Sequence, residues 1–203
     1  MKILLAGQKR FGRDTLHLFH ELGHEVVVCA PAQEAGAGRE DRLHAAAGVL
    51  GCQLIPSGTL RAETMPAGVD LIVTAHSHDF IGRKTRFRAR LGAIGFHPSL
   101  LPLHRGRDAI AWSVKMREHV TGGTVYWLND TVDGGPIAAQ EWCFIRPEDD
   151  ALELWKRELA PMGLRLFAKV LADIAAGKAR RDPQDSSLAT WEPACHGQPR
   201  LHR

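Results

Sequence analysis

Apolar and polar positions fall into short alternating blocks along this chain. The opening MKILLA is an apolar run of strand length, and the GQKRFG after it (Gly7 to Gly12) reads as a turn. Residues 13–22 (RDTLHLFHEL) place Leu16, Phe19 and His20 at helical spacing, with Gly23 as a natural stop. EVVVCA is a second, β-branched run whose pattern suits burial on both faces. Two strands joined by a helix within roughly 30 residues make a right-handed βαβ unit and so a parallel sheet. Residues 31–50 begin as a loop and end as an alanine-rich helix. CQLIP is then a third strand, VDLIVTA a fourth, and GAIGF a fifth after a basic helix that runs through Arg90. These elements predict an α/β chain with a doubly wound sheet.

The pattern changes after Phe96. HPSLLPLHRG is irregular, and an amphipathic helix is expected from Asp108 to about Arg117. GGTVYWLN and PIAAQEWCF read as antiparallel strands with TVDG in the loop between them. Glu148 to Lys178 is helical text, expected in two pieces around Pro161. From this pattern, residues 1–180 form one domain. Residues 181–203 lack periodicity and form an extended or partly loose tail.

Composition narrows the class. Hydrophobic residues are 44% and charged residues 24% of the 203, ordinary for a soluble globular domain. Apolar runs such as Val26 to Ala30 and Leu71 to Ala75 fall far short of the ~20 residues a membrane span needs, so no membrane role is expected. MKILLAG turns polar at Gln8 and Lys9 and reads as a buried strand rather than a signal peptide. The net charge of +3 is mild and its cations are scattered, which weighs against a nucleic-acid partner. Cys29, Cys52, Cys143 and Cys195 form no CxxC pair, and three of them lie in strand-like surroundings. They read as reduced thiols and point to a cytoplasmic protein.

Four places could carry chemistry. GQKRFG lacks the Lys-Ser/Thr of a Walker loop and does not fit GxGxxG, which excludes both nucleotide motifs. A helix start beside Lys9, Arg10 and Arg13 could hold an anionic group, or be a tight turn with exposed cations. His76 and His78 in HSHD follow a buried strand, where open α/β sheets bind ligands. HxH is a zinc-like spacing, and His97 or His104 could in principle complete the three ligands that catalytic zinc needs, but Asp79 follows His78 directly and a metal-free polar loop is expected. His97 ends a strand before Pro98 and is suited to moving protons near neutral pH. Asp133 sits in a VDGG turn. Taken singly, His97 could be a satisfied half-buried histidine and Asp133 an ordinary turn former.

The text around these two residues is distinctive. From Gly95 to Gln140, GFHPSLLPLHRGRDAIAWSV followed by GGTVYWLNDTVDGGPIAAQ resembles the formyltetrahydrofolate-dependent formyltransferase family. That family includes glycinamide ribonucleotide, methionyl-tRNA and sugar-amine formyltransferases and the hydrolase domain of formyltetrahydrofolate dehydrogenase. The resemblance extends more weakly through the GQ–FG turn, GHEVV and the closing QDSSLATWEP. It implies a Rossmann-like, mostly parallel sheet with antiparallel strands towards the C-terminal part, and 10-formyltetrahydrofolate as formyl donor. It also implies that His97 and Asp133 are catalytic. His76, Ser77, His78, Asp79, Phe80 and Ile81, with Gly95, would contact the folate. Gln8, Lys9, Arg10, His104, Arg105 and Gly106 would face the acceptor, with Lys9, Arg10, His104, Arg105 and Arg107 at an open basic entrance. An imidazolium at His97 would stabilise the tetrahedral oxyanion, and Asp133 would favour that charged form and help carry a proton to N10.

One departure bears on the reaction. The family's third catalytic residue, an asparagine two positions before the histidine, is Gly95 here. Loss of one oxyanion donor typically costs ~2.7–4 kcal/mol. The same position lacks asparagine in the dehydrogenase's hydrolase domain. Three readings follow: transfer to the amine of a small molecule, hydrolysis with water as acceptor, or a folate-binding module without turnover. Retention of both His97 and Asp133 argues against the last. A tRNA acceptor is disfavoured because the family's tRNA enzymes continue into a second, β-rich domain.

Overall fold

A computed structural model of the chain describes residues 1–195. The chain divides into two compact units, Met1–Gly95 and Phe96–Arg203.

The first unit contains strands β1 (Lys2–Gly7), β2 (Glu25–Ala30), β3 (Gln53–Pro56) and β4 (Leu71–Ala75), and the start of β5 (Ala93–His97). They lie in the order β3-β2-β1-β4-β5, all parallel. Helices α1 (Lys9–Glu21), α2 (Arg42–Val49) and the single turn α3 (Arg83–Arg86) connect them. Ile3, Leu4, Leu5, Leu16, Leu43 and Ile72 are fully buried here, as the apolar runs predicted. The strand order reverses beside β1. Gly7 and Ala75 are register partners there, so the Gln8 turn and the His76 loop leave the sheet side by side, at the kind of switch point where such sheets bind ligands.

Two elements of this unit differ from expectation. Helix α1 begins at Lys9, four residues before the periodicity suggested. Gly12 is not a turn residue but a helical contact: a Cβ there would stand 2.9 Å from Leu43 Cδ2, so glycine lets α1 and α2 approach. The basic helix does not continue to Arg90. The Arg86 guanidinium donates to the Ile81 carbonyl (2.7 Å), and Arg90 Nε turns back to Asp70 Oδ1 (2.8 Å), which draws the chain out of helical path.

The second unit opens with the last two residues of β5, Phe96 and His97, and continues through α4 (Ala109–Lys115). Strands β6 (Val120–Trp127) and β7 (Ile137–Phe144) then pair antiparallel, with a register shift between Val125 and Tyr126. Helices α5 (Ala151–Leu154) and α6 (Ala160–Ala175) follow. The expected break lies ahead of Pro161. A π-helical turn at Trp155–Leu159 separates α5 from α6, and Pro161 sits in the first turn of α6, where a missing N–H costs little. Leu154, Leu159 and Phe167 fill the core, with Phe96 edge-on to Phe167 at 6.3 Å. Of the tail expected at 181–203, residues 181–195 are described. They run extended, bridge Ile137 through Asp182 and Arg105 through Trp191, and make one 3-10 turn at Ser186–Leu188.

Candidate active site

In the second unit the irregular segment after β5 and the turn after β6 bring His97 and Asp133 together. His97 Nδ1 lies 3.5 Å from Asp133 Oδ2, and both side chains are nearly buried. On the opposite edge of the ring, Nε2 is 2.7 Å from the His104 carbonyl. A carbonyl only accepts, so Nε2 carries a hydrogen and Nδ1 is the nitrogen turned to Asp133. Separation of 3.5 Å is beyond a good hydrogen bond, which leaves the facing Nδ1 and Oδ2 available to a third group.

Asp133 sits at φ +50°, the left-handed region that aspartate tolerates in turns. Its Oδ1 accepts from the Tyr126 hydroxyl (2.6 Å) and its Oδ2 from the Gly106 N–H (2.7 Å). Burial, and then the Asp133 charge, hold the Tyr126 phenol well above its usual pKa of 10, so it remains a donor. The turn itself requires glycine at 135, where a Cβ would lie 1.6 Å from the Trp127 carbonyl oxygen.

His104, Arg105 and Gly106 support this pair rather than open onto solvent. His104 is 4% and Arg105 3% exposed, so the expected open basic entrance does not form from them; of that group Arg10 and Arg107 are exposed. The His104 ring lies between Glu118 Oε1 (Nε2, 2.9 Å) and Glu192 Oε2 (Nδ1, 3.0 Å). Burial alone would lower its pKa, but its contacts with Glu192 and Glu118 outweigh burial and raise it. The Nδ1–Oε2 contact has ion-pair distance without hydrogen-bond alignment, so charge attraction is its main component. Arg105 donates through Nε (3.1 Å) and Nη2 (2.7 Å) to Gln184 Oε1. Gln184 Nε2 in turn donates to the carbonyls of Asp133 (2.8 Å) and Gly135 (2.7 Å).

In the first unit the loop after β4 is firmly tied. Asp79 accepts from Ser57 Oγ (2.9 Å), from the Gly58 N–H and from Cys29 Sγ (3.6 Å), while its own N–H donates to Ser77 Oγ (3.0 Å). Phe80 is left 82% exposed and Ile81 is buried. His76, at φ +57°, reaches the surface, yet desolvation by neighbouring atoms and then the charges of Lys9 and His78 lower its pKa. Arg61, Glu63, His78, Phe80, Arg83 and Lys84 line a cleft of about 530 Å³ beside this loop. Gly95 is buried within β5 and offers no side-chain donor. Among the described residues no three His, Cys, Asp or Glu side chains are grouped to hold a metal ion.

The start of α1, which could be an anion site or a tight turn with exposed cations, already carries a carboxylate of the chain. Asp41, fully buried, accepts from the Lys9 N–H (2.8 Å) at that helix start and from Leu43 N–H (2.9 Å) and His44 N–H (3.3 Å) at the start of α2. The chain's own carboxylate thus supplies the negative charge there. Arg10 is exposed and pairs with Asp14 (3.5 Å), while buried Gln8 leaves Nε2 without a partner.

Sequence reasoning named His97 and Asp133 as candidates but not Tyr126, Gln184, Glu118 or Glu192, which contact them or their neighbours. The single tyrosine of the chain, set in an apolar strand, was a legible sign that a hydroxyl there needs a partner. The other three depend on contacts distant in sequence.

Comparison with known proteins follows the same lines. The Formyl transferase family model matches residues 1–171 and so ends before the segment containing Gln184 and Glu192. Over 202 residues the chain is 33% identical to the mitochondrial 10-formyltetrahydrofolate dehydrogenase of Mus musculus, covering 95% of this chain but only 22% of that protein. It is 32% identical over 200 residues to the methionyl-tRNA formyltransferase of Chloroflexus aurantiacus, covering 94% of this chain and 64% of that one. Its fold matches the N-formyltransferase from Helicobacter canadensis solved with folinic acid and dTDP-3-aminofucose, with a TM-score of 0.79 at 18% identity. The match covers 94% of this chain and 70% of that one. No helix among the described residues is long and apolar enough to cross a membrane.

Proposed function

Because the chain belongs to the formyl transferase family, we propose that it removes the formyl group of 10-formyltetrahydrofolate, with His97 and Asp133 at the reacting atoms. The observation that carries this reading is the nearly buried pair with Nδ1 and Oδ2 facing across 3.5 Å. With Nε2–H engaged by the His104 carbonyl, Nδ1 is the nitrogen left for proton work. Asp133 holds one donor on each oxygen and has lone pairs left to accept a proton from an attacking nucleophile.

The nucleophile adds to the formyl carbon, and the carbonyl electrons move to oxygen, where Nδ1–H of an imidazolium at His97 stabilises the oxyanion. Asp133 accepts the proton released by the nucleophile and relays it towards N10. The oxyanion's electron pair then re-forms the C=O bond as the C–N10 bond breaks, its electron pair goes to N10, which takes the proton from Asp133, and tetrahydrofolate leaves. His76, Ser77, His78, Asp79, Phe80, Ile81 and Gly95 are assigned to the folate. The chemistry of the neighbouring cleft supports that donor: Phe80 offers a ring face to an aminobenzoyl group, and Arg61, Arg83 and Lys84 offer charge to glutamate carboxylates.

Two acceptors are carried forward. The amine of a small molecule, approached past Gln8, Lys9 and Arg10, is the first. Water is the second, and specific observations favour it. Gly95 removes a side-chain donor, Asp41 already fills the anion position at the start of α1, and His104 and Arg105 are engaged internally. Four free cysteines support a reducing, cytoplasmic setting.

The deciding experiment incubates the purified chain with 10-formyltetrahydrofolate and no amine, following tetrahydrofolate and formate. Equimolar formate that disappears in His97→Ala makes water the acceptor. Folate binding without turnover, followed by formylation once amines are added, makes the amine the acceptor. Turnover unaffected by Asp133→Asn would sink the mechanism.

A further inference from the structure

The described tail reaches both members of the catalytic pair by separate routes, Asp133 directly at its backbone carbonyl and His97 through His104. On the first route the Gln184 carboxamide is saturated. Both N–H bonds go to the carbonyls of Asp133 (2.8 Å) and Gly135 (2.7 Å), and the oxygen takes two N–H bonds from Arg105 (3.1 and 2.7 Å). Only an amide can do this. A carboxylate at 184 would keep Arg105 but leave two carbonyls facing an acceptor. The positive φ of Asp133 makes its backbone the part of the turn most in need of such support.

On the second route Glu192 Oε2 stands 3.0 Å from His104 Nδ1, and Thr190 Oγ1 accepts the His104 N–H at 2.8 Å. The neighbouring Arg105 N–H donates to the Thr190 carbonyl (3.0 Å), and the Thr190 N–H to that of Pro102 (3.3 Å). His104 is therefore held by ring and backbone at once, at φ +53°, with its carbonyl aimed at His97 Nε2. That carbonyl fixes which His97 nitrogen carries the hydrogen and how the ring is turned.

We propose that residues 182–195 form a strap that sets the geometry of the catalytic pair, with Gln184 and Glu192 as its positioning residues. Gln184 places Asp133, and Glu192 acts through His104 to place His97. The inference rests on the reading that His97 and Asp133 carry the formyl chemistry, but it makes a prediction that needs no turnover. The strap touches no reacting atom, so its removal should lower the rate of the chemical step while leaving donor binding nearly unchanged.

The test uses the full chain with Glu192→Gln, which keeps size and removes charge, with Glu192→Asp as the conservative variant, and Gln184→Glu. Ring-nitrogen NMR of labelled histidine reports the protonation pattern of His97 independently of activity. The expected result is a changed His97 signal in Glu192→Gln, restored towards wild type in Glu192→Asp. In the turnover assay kcat should fall roughly 10–100-fold in Glu192→Gln and Gln184→Glu, with KM for the folate within about twofold, as loss of orientation rather than of binding predicts. Unaltered His97 signals and unaltered kcat in folded variants would overturn the strap. If the wild-type chain shows no turnover at all, the reading of function fails while the NMR arm still decides the strap. Should Gln184→Glu not fold, Glu192→Gln carries the decision alone.

Discussion

Tyr126→Phe isolates a single hydrogen bond at the site. The ring lies at the end of β6, 8% exposed, with its hydroxyl 2.6 Å from Asp133 Oδ1. Because burial and then the Asp133 charge hold the phenol above its usual range, it is a donor near neutral pH. Replacement by phenylalanine keeps the ring in its slot and removes one oxygen. The stability change therefore reports a lost bond to a charged acceptor, worth ~1.5–3 kcal/mol, with almost no cavity cost. Asp133 retains the Gly106 N–H at its other oxygen, and its side chain is 12% exposed. Water can reach the abandoned lone pair, which sets the expectation at the low end, ~1.5 kcal/mol or about tenfold in the unfolding equilibrium.

Urea unfolding followed by tryptophan fluorescence measures this directly. The midpoint should fall with no change in slope, since the surface exposed on unfolding is the same in both proteins. Turnover should fall by about tenfold with little change in folate KM, because a carboxylate held by one donor instead of two samples more orientations. A loss under ~0.5 kcal/mol with unaltered turnover would refute the reasoning, showing that the bond is no better than the one water supplies. A loss above ~4 kcal/mol would refute it in the other direction and make the hydroxyl part of a larger packed network.

Three further outcomes are expected. Gly135→Ala should cost more than ~3 kcal/mol and abolish turnover, read by thermal melting and activity, because its Cβ would fall 1.6 Å from the Trp127 carbonyl oxygen. The raised His104 pKa makes the Glu118–His104–Glu192 clamp pH-dependent. Its contribution is complete below the unfolded value of 6.5 and is lost as pH rises through the higher folded value. Wild type should therefore exceed Glu192→Gln in stability by more at about pH 6 than at about pH 9 in chemical denaturation, and an equal gap at both would remove the charged clamp. Burial, helped by Asp79, pushes the Cys29 thiol up to about 12, and burial pushes Cys143 up to about 11. Iodoacetamide at about pH 8, read by mass spectrometry, should label partly exposed Cys195 well before either of them, and all four cysteines at similar rates once urea is added.

The parts of the fold that were legible are those whose order comes from apolar burial. Strands β1, β2 and β4 are built on runs of Ile, Val, Leu and Ala, β5 is a short buried AIGFH, and the antiparallel β6–β7 pair was readable from its apolar and alternating text. The errors occur where one residue type serves two purposes. Gly12 looked like a turn and is a helix–helix contact; Pro161 looked like a break and sits harmlessly in a first turn, with the irregularity displaced into Trp155–Leu159. Arg88 to Arg90 fit a helix in composition, but Arg90 finds a better partner in Asp70.

The site divides in the same way, and the reason is general. His97 and Asp133 stood out as candidates because each ends or interrupts a regular element within a distinctive stretch of text. Gln184, Thr190 and Glu192 lay in a stretch that hydrophobic periodicity reads as loose, since that signal cannot detect order that comes from polar pairing. Yet the segments carrying His104 and Asp133 belong to no strand or helix, so their backbone groups have no ladder to satisfy them. In this unit the Asp133 and Gly135 carbonyls are met by the Gln184 side chain, the His104 N–H by Thr190 Oγ1 and the Arg105 N–H by the Thr190 carbonyl. Irregular segments that are partly buried need donors and acceptors from elsewhere, and a polar, aperiodic tail is a chemically suitable source. The polar, aperiodic character that reads as an extended or partly loose tail is therefore what suits it to hold the Asp133 turn in place.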